Sequence, residues 1–235
     1  MREEQAINFD ANPPITSSDY DKMARMALPG YEAMHTMVLS ILKYHFPATA
    51  NFLIVGAGTG MELLQYAQSN PQWQMLGVDP SEKMLAIAQT KIEQYQLSER
   101  VKLVQSYTDD LPLTPLYDAA TSILVMHFIP DDGGKLAYLQ SIVKRLKSSA
   151  TFVLVDVFGD KSSPEFERIA AYIQIYWQEM GLSAEKSQEI FAAVDKGVYL
   201  ISEARVFELL QQAGFTNITQ FYTGLWVGGW VVSKM

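Results

Sequence analysis

Apolar residues recur along this chain in two rhythms. Short, nearly solid apolar runs occupy residues 52–55, 73–78, 119–126 and 152–157, and Val101, Leu103 and Gln105 make a weaker fifth. Each is too short for a helix and predicts a strand, with 119–126 apolar enough to be central. Between them the spacing lengthens to that of helices, over 61–68, along Met84, Leu85, Ala88, Ile92 and Tyr95, and along Leu136, Leu139, Ile142, Val143 and Leu146. Buried strands alternating with amphipathic helices predict an α/β architecture, a doubly wound parallel sheet with helices on both faces.

The flanks carry other patterns. Residues 1–16 are polar and include Pro13-Pro14, which predicts an irregular arm. Ser17 or Ser18 is placed to cap a helix containing Tyr20, Met23 and Met26, ended by Pro29-Gly30. Met34, Met37, Val38, Ile41 and Leu42 then predict a second helix as far as Phe46-Pro47. After the fifth strand, 164–180 and 184–194 read as helices bearing Phe166, Ile169, Ile173, Ile175, Tyr176 and Trp177. Val206, Leu209 and Leu210 predict one more helix, stopped by Gly214. Residues 215–222 and 225–232 form two β-like runs with Thr223-Gly224 between them, which predicts a terminal hairpin. One domain over 1–235 accommodates all of this: N-terminal lid helices (1–47), a core (48–158), a helical insert (159–214) and the hairpin (215–235).

Candidate chemistry concentrates after the first strand. The run Phe52-Leu53-Ile54-Val55 passes into Gly56-Ala57-Gly58-Thr59-Gly60, and the next strand ends in Gly77-Val78-Asp79. Glycines let the backbone approach a ligand closely, and an acid at the end of the second strand can accept hydrogen bonds from a ribose diol. A dinucleotide fingerprint needs its third small residue five positions after the first, where this chain has Met61; its third glycine comes at four. That spacing favours a single nucleoside-type cofactor. His127, at the carboxyl edge of the fourth strand, is a candidate general base. His35 and His45 read as structural. Asp131, Asp132 and Asp156 raise a divalent metal, but they read better as structural or solvated acids, and no metal is expected.

Charge and composition narrow the partners. There are no cysteines, which excludes disulfides, thiolate metal sites and cysteine nucleophiles. The formal net charge of −8 disfavours a nucleic-acid partner. The basic trio Lys144, Arg145 and Lys147 reads as the dipole-stabilising last turn of a helix. No apolar run spans a bilayer, Met1-Arg2-Glu3-Glu4-Gln5 does not read as a signal peptide, and a cytoplasmic protein is expected.

Four ordered segments resemble the class I S-adenosylmethionine (SAM)-dependent methyltransferases: residues 54–60; Gly77-Val78-Asp79-Pro80-Ser81-Glu82-Lys83-Met84-Leu85; residues 101–112, ending Asp109-Asp110-Leu111-Pro112; and Tyr117-Asp118-Ala119-Ala120 through Met126-His127-Phe128-Ile129-Pro130. The resemblance implies a Rossmann-like seven-stranded sheet, mostly parallel, with an antiparallel strand in its C-terminal hairpin. It implies SAM as cofactor, S-adenosylhomocysteine as product and a small-molecule acceptor. Cofactor contacts are implied at Tyr31, Gly56, Ala57, Gly58, Gly60, Asp79, Pro80, Met84, Tyr107, Thr108, Ser122 and Ile123, with His127 or Tyr31 as base where the acceptor must lose a proton.

Tyr20-Asp21-Lys22-Met23, Leu28-Pro29-Gly30-Tyr31 and the insert before the hairpin are similar to the carboxy-SAM synthase branch, whose members modify SAM itself. That likeness implies a homodimer and a cofactor contact at Tyr31. The branch holds its extra carboxylate with an arginine where this chain has Leu209, and Arg205 lies one turn earlier. Of three acids usual in the wider family only Asp79 remains, because Ile54 and Tyr107 stand at the other two positions. Three readings follow: a small-molecule methyltransferase, a carboxy-SAM synthase-like enzyme, or a SAM-binding module without catalysis.

Overall fold

A computed structural model describes residues 9–10 and 16–235. Pro13-Pro14 and most of the expected arm lie outside the described residues. Seven strands form one sheet: β1 (Ala50–Val55), β2 (Trp73–Asp79), β3 (Val101–Gln105), β4 (Tyr117–Ile123), β5 (Leu146–Val157), β6 (Phe215–Gly224) and β7 (Val227–Lys234). Their order is β3-β2-β1-β4-β5-β7-β6. The first five strands pair in parallel, and β7 runs antiparallel to both β5 and β6.

The helices are α1 (Tyr20–Ala27), α2 (Tyr31–His45), α3 (Met61–Ser69), α4 (Glu82–Gln94), α5 (Gly134–Val143), α6 (Pro164–Glu179), α7 (Ala184–Gly197) and α8 (Glu203–Ala213). Successive side chains of β1 feed two apolar layers, as the pleat requires. Phe52 and Ile54 pack with Val38, Leu42, Leu63 and Tyr66 of α2 and α3. Leu53 and Val55 face Leu139, Leu209 and Leu210 of α5 and α8. The strand order reverses between β1 and β4, so a crevice opens beyond their carboxyl ends, the place where open α/β sheets bind ligands.

Several local expectations are corrected. The cap of α1 is Asp19, not Ser17 or Ser18, and it makes no side-chain cap bond. Instead the Thr16 hydroxyl donates to its carboxylate at 2.7 Å. Tyr95 falls just past α4 and is half exposed, and Ile175 of α6 faces outward. Met126 leaves the fourth strand, because Leu124 takes a left-handed conformation (φ 60°) and Met126–Phe128 form a 3-10 turn. The hairpin turns at Leu225-Trp226, two residues beyond Thr223-Gly224, since Gly224 still pairs with Val227. Leu225 bears the left-handed conformation (φ 56°), which lets the Trp226 indole bury against Trp177 and Phe191. Burial of an indole outweighs the roughly 1–2 kcal/mol of backbone strain.

The basic trio is also placed differently. Helix α5 ends at Val143, and Lys144, Arg145 and Lys147 follow it into β5. Lys147 pairs with Asp118 at 2.6 Å. The buried Arg145 guanidinium donates to the backbone carbonyls of Ser141 (2.7 Å), Asp109 (3.0 Å) and Leu111. Arg145 therefore holds the loop after β3 against α5. Arg145→Ala leaves these acceptors without a donor and is expected to cost about 3 kcal/mol or more. Thermal unfolding checks this, with a fall in Tm of roughly 6–12 °C expected.

Candidate functional site

The site is built where β1 turns into α3. The N–H groups of Gly56 (2.8 Å) and Ala57 (3.0 Å) both donate to the Val78 carbonyl, which draws the turn onto the end of β2. Gly56 (φ 72°) has no room for a Cβ, which would collide with Val125. At Gly60 (φ 80°) a Cβ would lie 2.9 Å from that of Ala88, so α4 packs directly on the turn. Only glycine meets both demands.

The turn is tied to Asp79. Gly58 N–H donates to Asp79 Oδ2 and Ser81 N–H to Oδ1, each at 2.9 Å. Burial pushes the Asp79 carboxyl upward, and these two N–H bonds oppose that shift. Each oxygen keeps acceptor capacity for a further donor. The Asp79 carbonyl accepts from Ser106 N–H at 3.1 Å, which fixes the loop carrying Tyr107 and Thr108. Tyr107 stands exposed at that edge and Thr108 is buried. Pro80 is exposed, and buried Met84 lies in the first turn of α4, its N–H bonded to Ser81 Oγ at 3.2 Å.

Helices α1 and α2 close over the turn. Asp21 accepts from the Thr59 hydroxyl through Oδ1 and pairs with Lys91 through Oδ2 at 2.6 Å. Tyr31 packs against the His35 ring (4.4 Å between centroids) with the Arg25 guanidinium 5.4 Å over its face. Burial raises the Tyr31 phenol above its ordinary value. It raises Tyr20 too, helped by the charge of Asp79, and lowers His35 to about 4. All three are uncharged at neutral pH. Tyr20, Tyr31, Gly56, Gly58, Glu62 and Ile123 are among the residues lining one cleft, about half open to solvent.

The Phe9 ring meets Tyr20 and Phe128 edge-on at 5.7 and 5.9 Å. Asp10 accepts from Ser81 Oγ (2.7 Å) and from the N–H groups of Glu82 (2.9 Å) and Lys83 (3.0 Å) at the start of α4. An anion there is stabilised by the unpaired N–H groups and the helix dipole. Burial would raise its carboxyl, but the Ser81 bond and the backbone bonds outweigh that and hold it below the usual range.

His127 lies in the turn after β4, its Nδ1 bonded to Asp156 Oδ1 at the end of β5. Asp156 Oδ1 also accepts from Val157 N–H at 2.8 Å. The His127 carbonyl accepts from Tyr199 N–H at 2.8 Å. The structure thus brings together Tyr31, Gly56, Ala57, Gly58 and Ile123, while His127 is not among the residues lining their cleft. The Ser122 side chain points elsewhere: its hydroxyl bonds Tyr138 Oη at 2.7 Å toward α5. The acids considered for a metal are spent separately, Asp131 on Arg205 (2.9 Å), Asp132 on Gly134 N–H (3.1 Å) and Asp156 on His127. Among the described residues no three acids or histidines cluster to hold a metal ion.

Sequence reasoning missed the bonds made by Asp10, Asp21 and Asp156, and missed Glu62 altogether. Glu62 is buried on α3, and its Oε1 accepts from Thr121 Oγ1 (2.7 Å) and Tyr66 Oη (3.2 Å). One signal was available: Glu62 lies four residues before Tyr66 and so shares its inward face.

Residues 53–152 match a family model described as a methyltransferase domain. The chain is 26% identical over 217 residues to demethylmenaquinone methyltransferase of Lactiplantibacillus plantarum, covering 89% of this chain and 86% of that one. It is also 26% identical over 206 residues to carboxy-S-adenosyl-L-methionine synthase 1 of Yersinia pseudotuberculosis, covering 85% and 83%. Among solved structures, magnesium protoporphyrin IX methyltransferase from Synechocystis PCC 6803 with bound SAM superposes with a TM-score of 0.64 at 15% identity, over 97% of this chain and 93% of that one. Against two solved O-methyltransferase chains this chain spans 51% and 59% of their length.

Proposed function

We propose that this chain, which belongs to the class I SAM-dependent methyltransferases, transfers a methyl group from SAM to a small-molecule acceptor. The observation that carries the proposal is Asp79, held by Gly58 and Ser81 N–H groups beside the glycine turn at the reversal point of the sheet. The donor set suits an adenosine: a carboxylate for the ribose diol, and a backbone that passes close because Gly56 and Gly60 carry no Cβ. Pro80, Met84, Tyr107 and Thr108 border the same edge, with Tyr107 placed to stack on the base. Ile123 and the turn residues take the amino-acid end, and Ser122 contributes backbone at most.

When bound, SAM supplies a methyl group already activated by its sulfonium. The protein therefore has to orient the acceptor and exclude water, and proximity accounts for most of the rate. Tyr20, Asp21 and Tyr31 stand over the cleft, which is half open to solvent. A small acceptor fits a cleft covered on one side in this way. Tyr31, its phenol raised by burial, stays protonated and serves as a hydrogen-bond donor rather than a base. His127, its ring fixed by Asp156 through Nδ1, remains the candidate base for an acceptor that must lose a proton, and such an acceptor would have to extend beyond the cleft that Tyr31 and Ile123 line.

A second reading, carboxy-SAM synthesis, is favoured by the Yersinia relative. Two residues weigh against it: Leu209 is buried in the core, and Arg205 is committed to Asp131 and Glu208. The reading extends to a single cytoplasmic unit over 1–235 and to a homodimer. Among the described residues no helix is long and apolar enough to cross a membrane.

Calorimetry with SAM and S-adenosylhomocysteine tests the binding, and label transfer from methyl-labelled SAM into metabolite extract tests the chemistry. Micromolar binding with a methylated product is expected. Absence of binding overturns the proposal, binding without turnover on any extract indicates a non-catalytic module, and a carboxylated SAM species in the mass spectrum selects the second reading.

A further inference from the structure

Glu62 is an acid where the fold gives it little reason to be. It is 6% exposed, in the first turn of α3, and its side chain reaches across to β4. Both of its hydrogen bonds, from Thr121 and Tyr66, go to Oε1, and Oε2 takes none among the described residues. Every described group facing it is neutral or acidic: Tyr66 on its own helix, Thr121 on β4, Tyr31 and His35 on α2, and Tyr20 and Asp21 on α1. The cations close to this cleft among the described residues are committed elsewhere: Arg25, which reaches Met61, pairs with Glu32 at 2.7 Å, and Lys91 pairs with Asp21 at 2.6 Å. A buried carboxylate without a counter-charge is costly, and structural positions rarely keep one. Here burial raises the carboxyl to about 7 despite the two hydrogen bonds. The group also lines the cleft beside Gly56 and Gly58.

From this placement we infer that Glu62 is the anionic partner of the ligand's α-ammonium group, anchoring the amino-acid end of SAM. The inference rests on the methyltransferase reading above and adds a residue to it. Position in the sheet selects the ammonium over the sulfonium. Thr121, which Glu62 grips, pairs with Ile54 on β1, and Ile54 pairs with Gly77 of β2, the strand that ends in Asp79. Two strand spacings, about 10 Å, separate Thr121, to which Glu62 is bonded, from Gly77, and Asp79 lies two residues farther along β2. A sulfonium, attached directly to the ribose C5′, falls short of that distance, whereas the ammonium at the far end of the aminocarboxypropyl chain spans it. Glu62 thereby supplies from α3 the negative charge that Ile54, on the strand beside Thr121, lacks.

Three ligands separate the possibilities on Glu62→Gln, which keeps the shape and the acceptor for Thr121 and Tyr66. SAM carries ammonium and sulfonium, S-adenosylhomocysteine only the ammonium, and 5′-methylthioadenosine neither. Calorimetry is expected to show SAM and S-adenosylhomocysteine weakened by roughly 10- to 100-fold in the variant, with methylthioadenosine unchanged. In the wild type, affinity for S-adenosylhomocysteine should rise with pH as Glu62 ionises, about tenfold weaker at pH 6 than at pH 8, and lose that dependence in the variant. The free protein gives an independent readout. A raised carboxyl destabilises the fold as pH climbs from the ordinary carboxylate range toward 7, so the variant should melt higher than wild type at pH 8 without ligand. Equal losses for all three ligands, a loss confined to SAM, or no loss at all overturns the assignment while leaving the methyltransferase reading standing. Failure of wild type to bind any of the three overturns both.

Discussion

Asp79→Ala should weaken S-adenosylhomocysteine binding by two orders of magnitude or more. A carboxylate accepting two ribose hydroxyls makes charge-assisted hydrogen bonds of about 1.5–3 kcal/mol each, so losing both costs about 3 kcal/mol at the least. Asp79 has a second duty, because its oxygens also hold the N–H groups of Gly58 and Ser81. Alanine therefore loosens the glycine turn as well as removing the ribose acceptor. The 2′-deoxy analogue of S-adenosylhomocysteine separates the two effects. Against wild type it should bind more weakly than the parent ligand, and against Asp79→Ala the two should bind alike, because the coupling between carboxylate and 2′-hydroxyl is gone. Unchanged affinity of the variant for the parent ligand would remove Asp79 from the ribose. A variant that weakens both ligands while preserving their difference would leave Asp79 only its structural role.

How much of this site was legible in the sequence divides along a physical line. Backbone-driven features were readable, because they depend on local chain stereochemistry. The glycine spacing after β1, the acid closing β2 and the alternation of apolar strands with amphipathic helices all stand where the pattern put them. Gly214 ends α8 in the left-handed conformation that only a residue without Cβ enters freely (φ 103°). Contacts between segments remote in sequence were not readable. Asp10 bonds residues more than seventy positions away, Asp21 reaches both Thr59 and Lys91, and Asp156 orients His127 from the next strand. Each is an acid whose partner lies in a segment remote along the chain, which a one-dimensional pattern does not register. Leu225-Trp226 was misplaced for a related reason: Thr223-Gly224 has the better local turn chemistry, and the burial of Trp226 against α6 and α7 overrides it.

That same tertiary contact supports the other large effect. Trp177 is buried on α6, edge-on to Trp226, and its indole N–H donates to the Ala27 carbonyl at 3.0 Å. Ala27 is the last residue of α1, the helix that brings Tyr20 and Asp21 onto the cleft. The helical insert is thereby bolted to the lid. Trp177→Ala should cost about 3–5 kcal/mol through lost burial and the cavity left behind. In a chain of this length that lowers Tm by roughly 6–20 °C. Trp177→Phe keeps most of the apolar contact but leaves the Ala27 carbonyl without its donor, and should cost about 1–2 kcal/mol. If α6 holds α1 in place, the phenylalanine variant loses ligand affinity out of proportion to its small loss of stability, because Tyr20 and Asp21 of α1 line the ligand cleft. Differential scanning fluorimetry with and without S-adenosylhomocysteine reads both quantities in one experiment. A phenylalanine variant with the full ligand-induced shift in Tm would reduce Trp177 to a packing residue and detach the insert from the action of the lid.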